Sequence, residues 1–329
     1  MRRLLLGRLV SSALSVAAQL RVADLLADGP RTAEELAVTT GTQAPALCRV
    51  LRTLAAFDVL AEDPDGRFAL TPLGETLRSD VPGTAWPTAL LAAGEIGQAW
   101  DGLLDTVRTG KPAFDRMFGT DVFTYFGAQP ELRATFYASQ AADLEVTLTE
   151  LDAIDVTAHR TVVDVGGGDG ALLAHLLAAA PQARGVLLDS PAVVAEAQAR
   201  MAAAGLSDRC EVVAGDFFTA IPGDGDLYLM RDVLHDWPDE RCVQLLRTCH
   251  RAMPDTATLA VIERVADPDL SAGADAQLTA LMDLYMLAVL DGRERSREEL
   301  ERLLTGAGFA VGSWHRLSRG TALVEATPR

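Results

Sequence analysis

"VVDVGGGDGALL", residues 162–173, decides how the second half of the chain is read. Four apolar or acidic residues, Val162 to Val165, run into a turn with glycine at 166, 167, 168 and 170, followed by an apolar helical pattern. Strand, tight glycine turn and helix in that order make the first βα unit of a parallel sheet, with a ligand site at the turn. Downstream the same alternation continues. "GVLLD", "CEVVAG", "DLYLM" and "ATLAVIE" are short continuous apolar runs, as expected of strands covered on both faces. Helical patterns separate them, and the chain closes with "SREELERLLTGAGF" and two more strand candidates, "AVGSWHRL" and "TALVEA". The fold class predicted is α/β, an open doubly wound sheet.

Ligands of such a sheet bind beyond the carboxyl ends of its strands. Here those ends carry the glycine turn, Asp189, Gly215–Asp216–Phe217, the segment from Arg231 through His235, Asp236 and Trp237, and Glu263. Gly166 to Ala171 satisfy G-x-G-x-x-A, which permits a nicotinamide dinucleotide and an oxidoreductase reading. No hydride-transfer set accompanies it. Asp164 points elsewhere: a carboxylate before the turn repels a pyrophosphate but accepts hydrogen bonds from an ammonium group. S-adenosylmethionine carries an amino group, a sulfonium and no phosphate. Asp189, 19 residues after Gly170, suits the two hydroxyls of an unphosphorylated ribose. Asp216 and Phe217 suit an adenine, by hydrogen bond and by packing, and Arg231 suits the methionine carboxylate or the ribose side. Among five histidines, His235 has polar company, whereas His159, His175, His250 and His315 are read as lacking it. An imidazole titrates near ~6.5 and can take a phenolic proton; Glu263 can orient its other nitrogen, and Glu294 in "GRERS" is a second carboxylate for it.

The first part of the chain reads differently. Residues 1–90 hold three helical patterns and a short ribbon with Asp65–Gly66 at its turn. Thr32 and Glu35 form a capping-box pair. Three helices and a wing describe a winged helix, but residues 1–80 carry nine arginines against ten acidic residues. A DNA reader needs a basic face, so a dimerisation domain is expected rather than a ligand-sensing regulator. "MRRLLLGRLVSSALSVAAQL" has the basic start and Leu-rich run of a signal peptide, yet Arg8 interrupts it and the pattern continues into "LRVADLLADG"; a packed helix is expected. Residues 91–329 form the second domain, beginning with a helical connecting segment over 91–157. A net charge of −17 disfavours nucleic acid and anionic membranes as partners. No apolar stretch approaches the ~20 residues of a membrane span. Cys48, Cys210, Cys242 and Cys249 show no CxxC pair and are read as thiols of a reducing, cytoplasmic compartment, with no metal site.

Taken together, these motifs resemble the S-adenosylmethionine-dependent O-methyltransferases of plant phenolics and bacterial aromatic natural products, a family linked to secondary metabolism and antibiotic biosynthesis. The resemblance covers nearly the whole chain. "VVDVGGGDG" is similar to the family's D-x-G-G-G-x-G loop, "LLDSPAVV" and "GDFF" to its cofactor segments, "LMRDVLHDWPDE" to the block with the catalytic histidine, and "DLYMLAVLDGRERS" to that with a supporting glutamate. "TGKPAFDRMFGTDVFTYF" and "LRVADLLADGPRTAEELA" also fit. The resemblance implies a class I methyltransferase sheet behind a winged-helix domain that builds a homodimer. It implies His235 as general base steered by Glu263 and Glu294. The cofactor would sit among Asp164, Gly166, Gly168, Asp189, Asp216, Phe217 and Arg231, and a hydroxylated aromatic acceptor near Phe136, Gln140, Asp236 and Met286. Gln140 stands where the family usually has methionine, Ser190 where it has leucine, Arg231 where plant members have lysine and Asp291 where it has glycine. Some members keep the cofactor but catalyse hydroxylation, decarboxylation or pericyclic chemistry, often after losing the histidine; this chain retains it.

Overall fold

The computed structural model describes residues 1–266 and 273–329. Two compact units form, Met1–Asp101 with Ala128–Val146, and Gly102–Gly127 with Thr147–Arg329.

In the first unit, the segment with the signal-peptide-like start is the helix Gly7–Gln19, which buries Ala13, Ala17 and Ala18 in the unit's core. Thr32 and Glu35 close the expected capping box on the helix Ala33–Thr40. The helix Ala44–Ala55 inserts Leu47, Leu51 and Leu54 into the same core, beside Phe68. The wing has strands β2 (Leu60–Glu62) and β3 (Arg67–Leu70), paired antiparallel around Gly66, whose φ of +76° the turn requires. A further short strand, β1 (Arg31–Thr32), adds to β3; two residues are too few to leave a periodic signal. Arg52 forks onto Glu62 across the wing at 2.8–3.1 Å, so an arginine that a DNA reader would offer to phosphate is already neutralised.

The second unit is built on a seven-stranded sheet: β4 (Thr161–Val165), β5 (Arg184–Asp189), β6 (Cys210–Ala214), β7 (Leu227–Arg231), β8 (Thr258–Arg264), β9 (Phe309–Arg316) and β10 (Thr321–Pro328). Their order is β6-β5-β4-β7-β8-β10-β9. The strands from β4 to β8 pair in parallel, whereas β10 runs antiparallel to both β8 and β9. A connection too short for a crossover joins β9 to β10, so the pair must be a hairpin. The apolar runs are buried as expected: Leu227 to Met230 of β7 are at most 2% exposed. On one face the helix Asp239–Ala252 presents Cys242, Leu245, Leu246 and Cys249, one side of a 3.6-residue pattern, to the core under β7 and β8. All four cysteines are free. No helix among the described residues is long and apolar enough to cross a membrane.

Candidate active site

Strand order reverses between β4 and β7: the chain leaves β4 towards β5 and β6, and leaves β7 towards β8. Connections after those two strands diverge and open a crevice at their carboxyl ends. The glycine turn enters it from β4. Gly166, Gly168 and Gly170 take φ of +74°, +57° and +82°, values that a side chain resists. A Cβ on Gly167 would stand 2.6 Å from Asp164 Oδ2 and 2.9 Å from Leu187 Cγ, so the turn closes directly over the aspartate. The turn is also braced, since Arg200 donates to the Asp169 carbonyl at 3.1 Å and to its carboxylate.

Asp164 is buried and its Oδ2 has no hydrogen-bond partner. Burial pushes its carboxyl up to about 7; Asp189 adds to the rise and Arg231 opposes it. An orphaned buried carboxylate oxygen costs free energy until a donor or cation meets it, which fits a ligand ammonium. Asp189 accepts the Gly168 N–H at 2.9 Å and its own neighbour Ser190 N–H at 2.6 Å, tying the end of β5 to the turn. Burial raises its carboxyl against those two donors. Asp216 caps its own loop, accepting from Phe218 N–H and Thr219 Oγ1. Phe217 is half-buried, with its ring edge-on to Trp237 at 6.2 Å between centroids. Arg231 pairs with Asp232 at 2.9 Å. These residues fit a phosphate-free adenosine with a cationic tail.

From β7 the chain turns sharply at Asp232, φ +52°, into a short helical turn over Leu234–Asp236. There His235 lies buried. Its Nδ1 is 3.2 Å from Glu294 Oε1 and 3.8 Å from Glu263 Oε2; its Nε2 is 3.4 Å from Asp236 Oδ1. Both expected glutamates meet the imidazole on the same nitrogen, but they do different work. Glu263 Oε1 accepts the backbone N–H groups of Val233 and Leu234 at 3.1 and 2.6 Å, anchoring the loop. Glu294 is the one within hydrogen-bond reach of the ring. Burial by itself lowers the imidazole's affinity for protons, but Glu294, Asp236 and Glu263 outweigh it and hold His235 well above 6.5. Burial likewise pushes Glu263 and Asp236 up to about 7 each, with His235 pulling the other way.

Met286 is buried in the helix Ala274–Val289 of the same unit. Phe136 and Gln140 lie on the helix Pro130–Thr147, which clusters with the first unit. One reading of the histidines needs correcting: His159 does have polar company, with Nδ1 3.8 Å from Asp226, because the turn before β4 packs on the turn before β7. Among the described residues one set has metal-ligand spacing, Asp232, His235 and Glu263. Asp232 in that set pairs with Arg231, and Glu263 spends Oε1 on two backbone N–H groups while its buried Oε2 has no hydrogen-bond partner. Sequence reasoning missed Arg200 and Arg295; the main partners of each lie 31 or more positions away, so no local pattern marks it.

The chain matches the model of the O-methyltransferase domain over residues 100–310 and that of the O-methyltransferase dimerisation domain over residues 2–80. It belongs to the O-methyltransferase family. The methyltransferase is 45% identical to the O-methyltransferase SfmM3 of Streptomyces lavendulae, over 99% of both chains. It is 39% identical to the aclacinomycin 10-hydroxylase RdmB of Streptomyces purpurascens, over 97% of this chain and 86% of that one. Among solved structures, LaPhzM superposes with a TM-score of 0.93 at 40% identity, covering 99% of this chain and 98% of the other. NcsB1, an O-methyltransferase from neocarzinostatin biosynthesis in complex with S-adenosylmethionine and 2-hydroxy-5-methyl naphthoic acid, gives 0.84 at 38%, covering 97% and 96%. The expected fold class, enzyme class and cofactor, S-adenosylmethionine, hold for this chain.

Proposed function

We propose that this methyltransferase moves a methyl group from S-adenosylmethionine to a hydroxyl of a small aromatic acceptor, with His235 as general base. One observation carries the reading: a buried imidazole at the crevice, held through Nδ1 by Glu294. A proton on Nδ1, donated to Glu294, leaves the Nε2 lone pair to take the acceptor's proton. S-adenosylmethionine supplies a methyl group already activated on a sulfonium. The chain's remaining task is alignment, worth ~7–11 kcal/mol in favourable cases. In this reading Asp164 meets the ammonium, the backbone at Gly166 and Gly168 faces the cofactor, Asp189 holds the ribose hydroxyls, and Asp216 and Phe217 flank the adenine. Arg231 screens the buried carboxylates, and Asp236 and Met286 face the acceptor. No step calls for a metal.

Proton removal by His235 contributes about 10²–10⁴-fold. His235→Ala should therefore lower kcat by about that factor and leave S-adenosylhomocysteine affinity, read by isothermal titration, unchanged. Full activity in that variant ends the general-base reading. The second reading, a cofactor-retaining enzyme of non-methylating chemistry, draws on the kinship to a hydroxylase; transfer of radiolabel from methyl-labelled cofactor to an acceptor separates the two. The protein is further read as a cytoplasmic homodimer without a nucleic-acid partner. Supporting the dimer, Leu4, Leu5 and Leu9 of the first unit are 64–80% exposed, an apolar stripe of the kind a second copy covers. Light scattering should return twice the 35.0 kDa chain mass.

A further inference from the structure

Arg295 takes no part in the reaction as derived above, yet it is the largest fully buried side chain among the described residues. A guanidinium offers five donors in a rigid plane, and nearly all of these are spent on one short segment. Nη1 donates to the Leu234 carbonyl at 2.8 Å and Nη2 to the Trp237 carbonyl at 2.7 Å. Nε and Nη2 reach Asp239 Oδ1 at 2.9 and 2.8 Å. The carbonyls it grips flank His235. That of His235 itself accepts the Arg293 N–H at 2.9 Å, and Gly292 passes so close that a Cβ there would stand 1.9 Å from the same oxygen. Residues 292–295 thus cover the backbone of the loop while Glu294, from the same four residues, holds the ring.

The strap is fixed in turn. Val265, just past β8, bridges to Arg295, and the Ala266 N–H donates to the Arg295 carbonyl at 2.8 Å. Ser296 and Glu299 then close a capping box on the helix Arg297–Gly306. We infer that Arg295 is a positioning residue: its guanidinium sets where the His235 loop stands relative to the carboxylate that orients the imidazole. This rests on His235 being the base. Lysine cannot replace it, because one ammonium on a flexible stem cannot span two carbonyls and a carboxylate in a single plane.

The test compares Arg295→Lys, Arg295→Met, Asp239→Asn and His235→Ala with the parent, measuring kcat against pH, S-adenosylhomocysteine affinity and thermal midpoint. A displacement of about 1 Å at the reacting group costs about 10²-fold, so Arg295→Lys and Arg295→Met should lose kcat on that scale with cofactor affinity retained. The acid limb of their profiles should move to lower pH, because a loosened ring drifts away from Glu294; loss of stability alone leaves that limb in place. Asp239→Asn, which removes a half-exposed partner and keeps the guanidinium, should show the same shift with a smaller loss, and it decides the matter if the Arg295 variants do not fold. A parent-like rate and limb in Arg295→Lys, or lost turnover with an unmoved limb throughout the series, overturns the proposal. Full activity in His235→Ala overturns the base reading and the strap with it, whereas loss there beside a parent-like Arg295→Lys overturns the strap alone.

Discussion

The glycine turn after β4 and the His235 segment after β7 sit at the ends of adjacent strands, and they are shaped by opposite means. The turn largely specifies itself: its φ values need glycine at 166, 168 and 170, and the carboxylate it covers lies two residues before it. The His235 segment is specified from outside. Glu263, 29 and 30 positions away from the amides it anchors, holds its backbone N–H groups; Glu294, 59 away, holds the ring; Arg295, 61 from Leu234, holds the carbonyls. A loop shaped mainly by its own glycines is damaged mostly at those positions, although Arg200 and Asp189 brace it from 31 and 21 residues away. A loop assembled from distant residues can be detuned at positions that never meet a substrate. Substitutions in the turn should therefore act on cofactor affinity, and those around the His235 segment on turnover.

The largest effect should come from His235→Ala, whose loss in kcat is the reference for the rest. Next is Gly167→Ala. Its new methyl would stand within 2.6–2.9 Å of the buried Asp164 and Leu187 side chains, an overpacking of about 1–3 kcal/mol. If the strain falls on the turn, S-adenosylhomocysteine binding should weaken by about 5–150-fold with kcat at saturating cofactor preserved. A lowered kcat with unchanged affinity would break the division between the two loops.

Glu294→Gln sharpens the division through pH. Neutral His235 is the working base, so turnover rises with pH through a group held well above 6.5. Removing the strongest of the charges that raise it should move that limb to lower pH; the pH profile of kcat measures this. The same sign governs stability: a raised imidazole stabilises the fold below the unfolded value near ~6.5 and loses that contribution as pH rises through the folded one.

How much of this could be read from the sequence follows the same contrast. Strands β4 to β8 were legible because continuous apolar runs separated by helical periods admit few other readings. The proposed cofactor-side residues could be named from sequence because each lies at or just beyond the carboxyl end of a strand. His235 and both glutamates could be named as a set, but not their division of labour: that Glu263 spends one oxygen on two backbone amides depends on where β8 ends against the turn after β7. Arg295 was illegible for a stronger reason. Within "GRERS" it looks like one more surface charge, and only the closed loop shows that its carbonyl partners converge on it.

The smallest effect tests the cofactor side alone. Asp164 sits at about 7 with an oxygen lacking a partner, so near neutral pH a sizeable fraction carries a proton before any ligand arrives. An ammonium placed beside it favours the charged form and lowers its pKa, and the proton must then leave. Binding of S-adenosylhomocysteine at pH 7 should release a fraction of a proton, visible as a dependence of the titration heat on the buffer's ionisation enthalpy. Asp164→Asn should abolish that release while weakening binding. Release that persists in the variant would move its source to another raised carboxyl, Asp189 beside the proposed ribose site or Asp236 and Glu263 at the His235 segment, and Asp189→Asn separates the first from the other two.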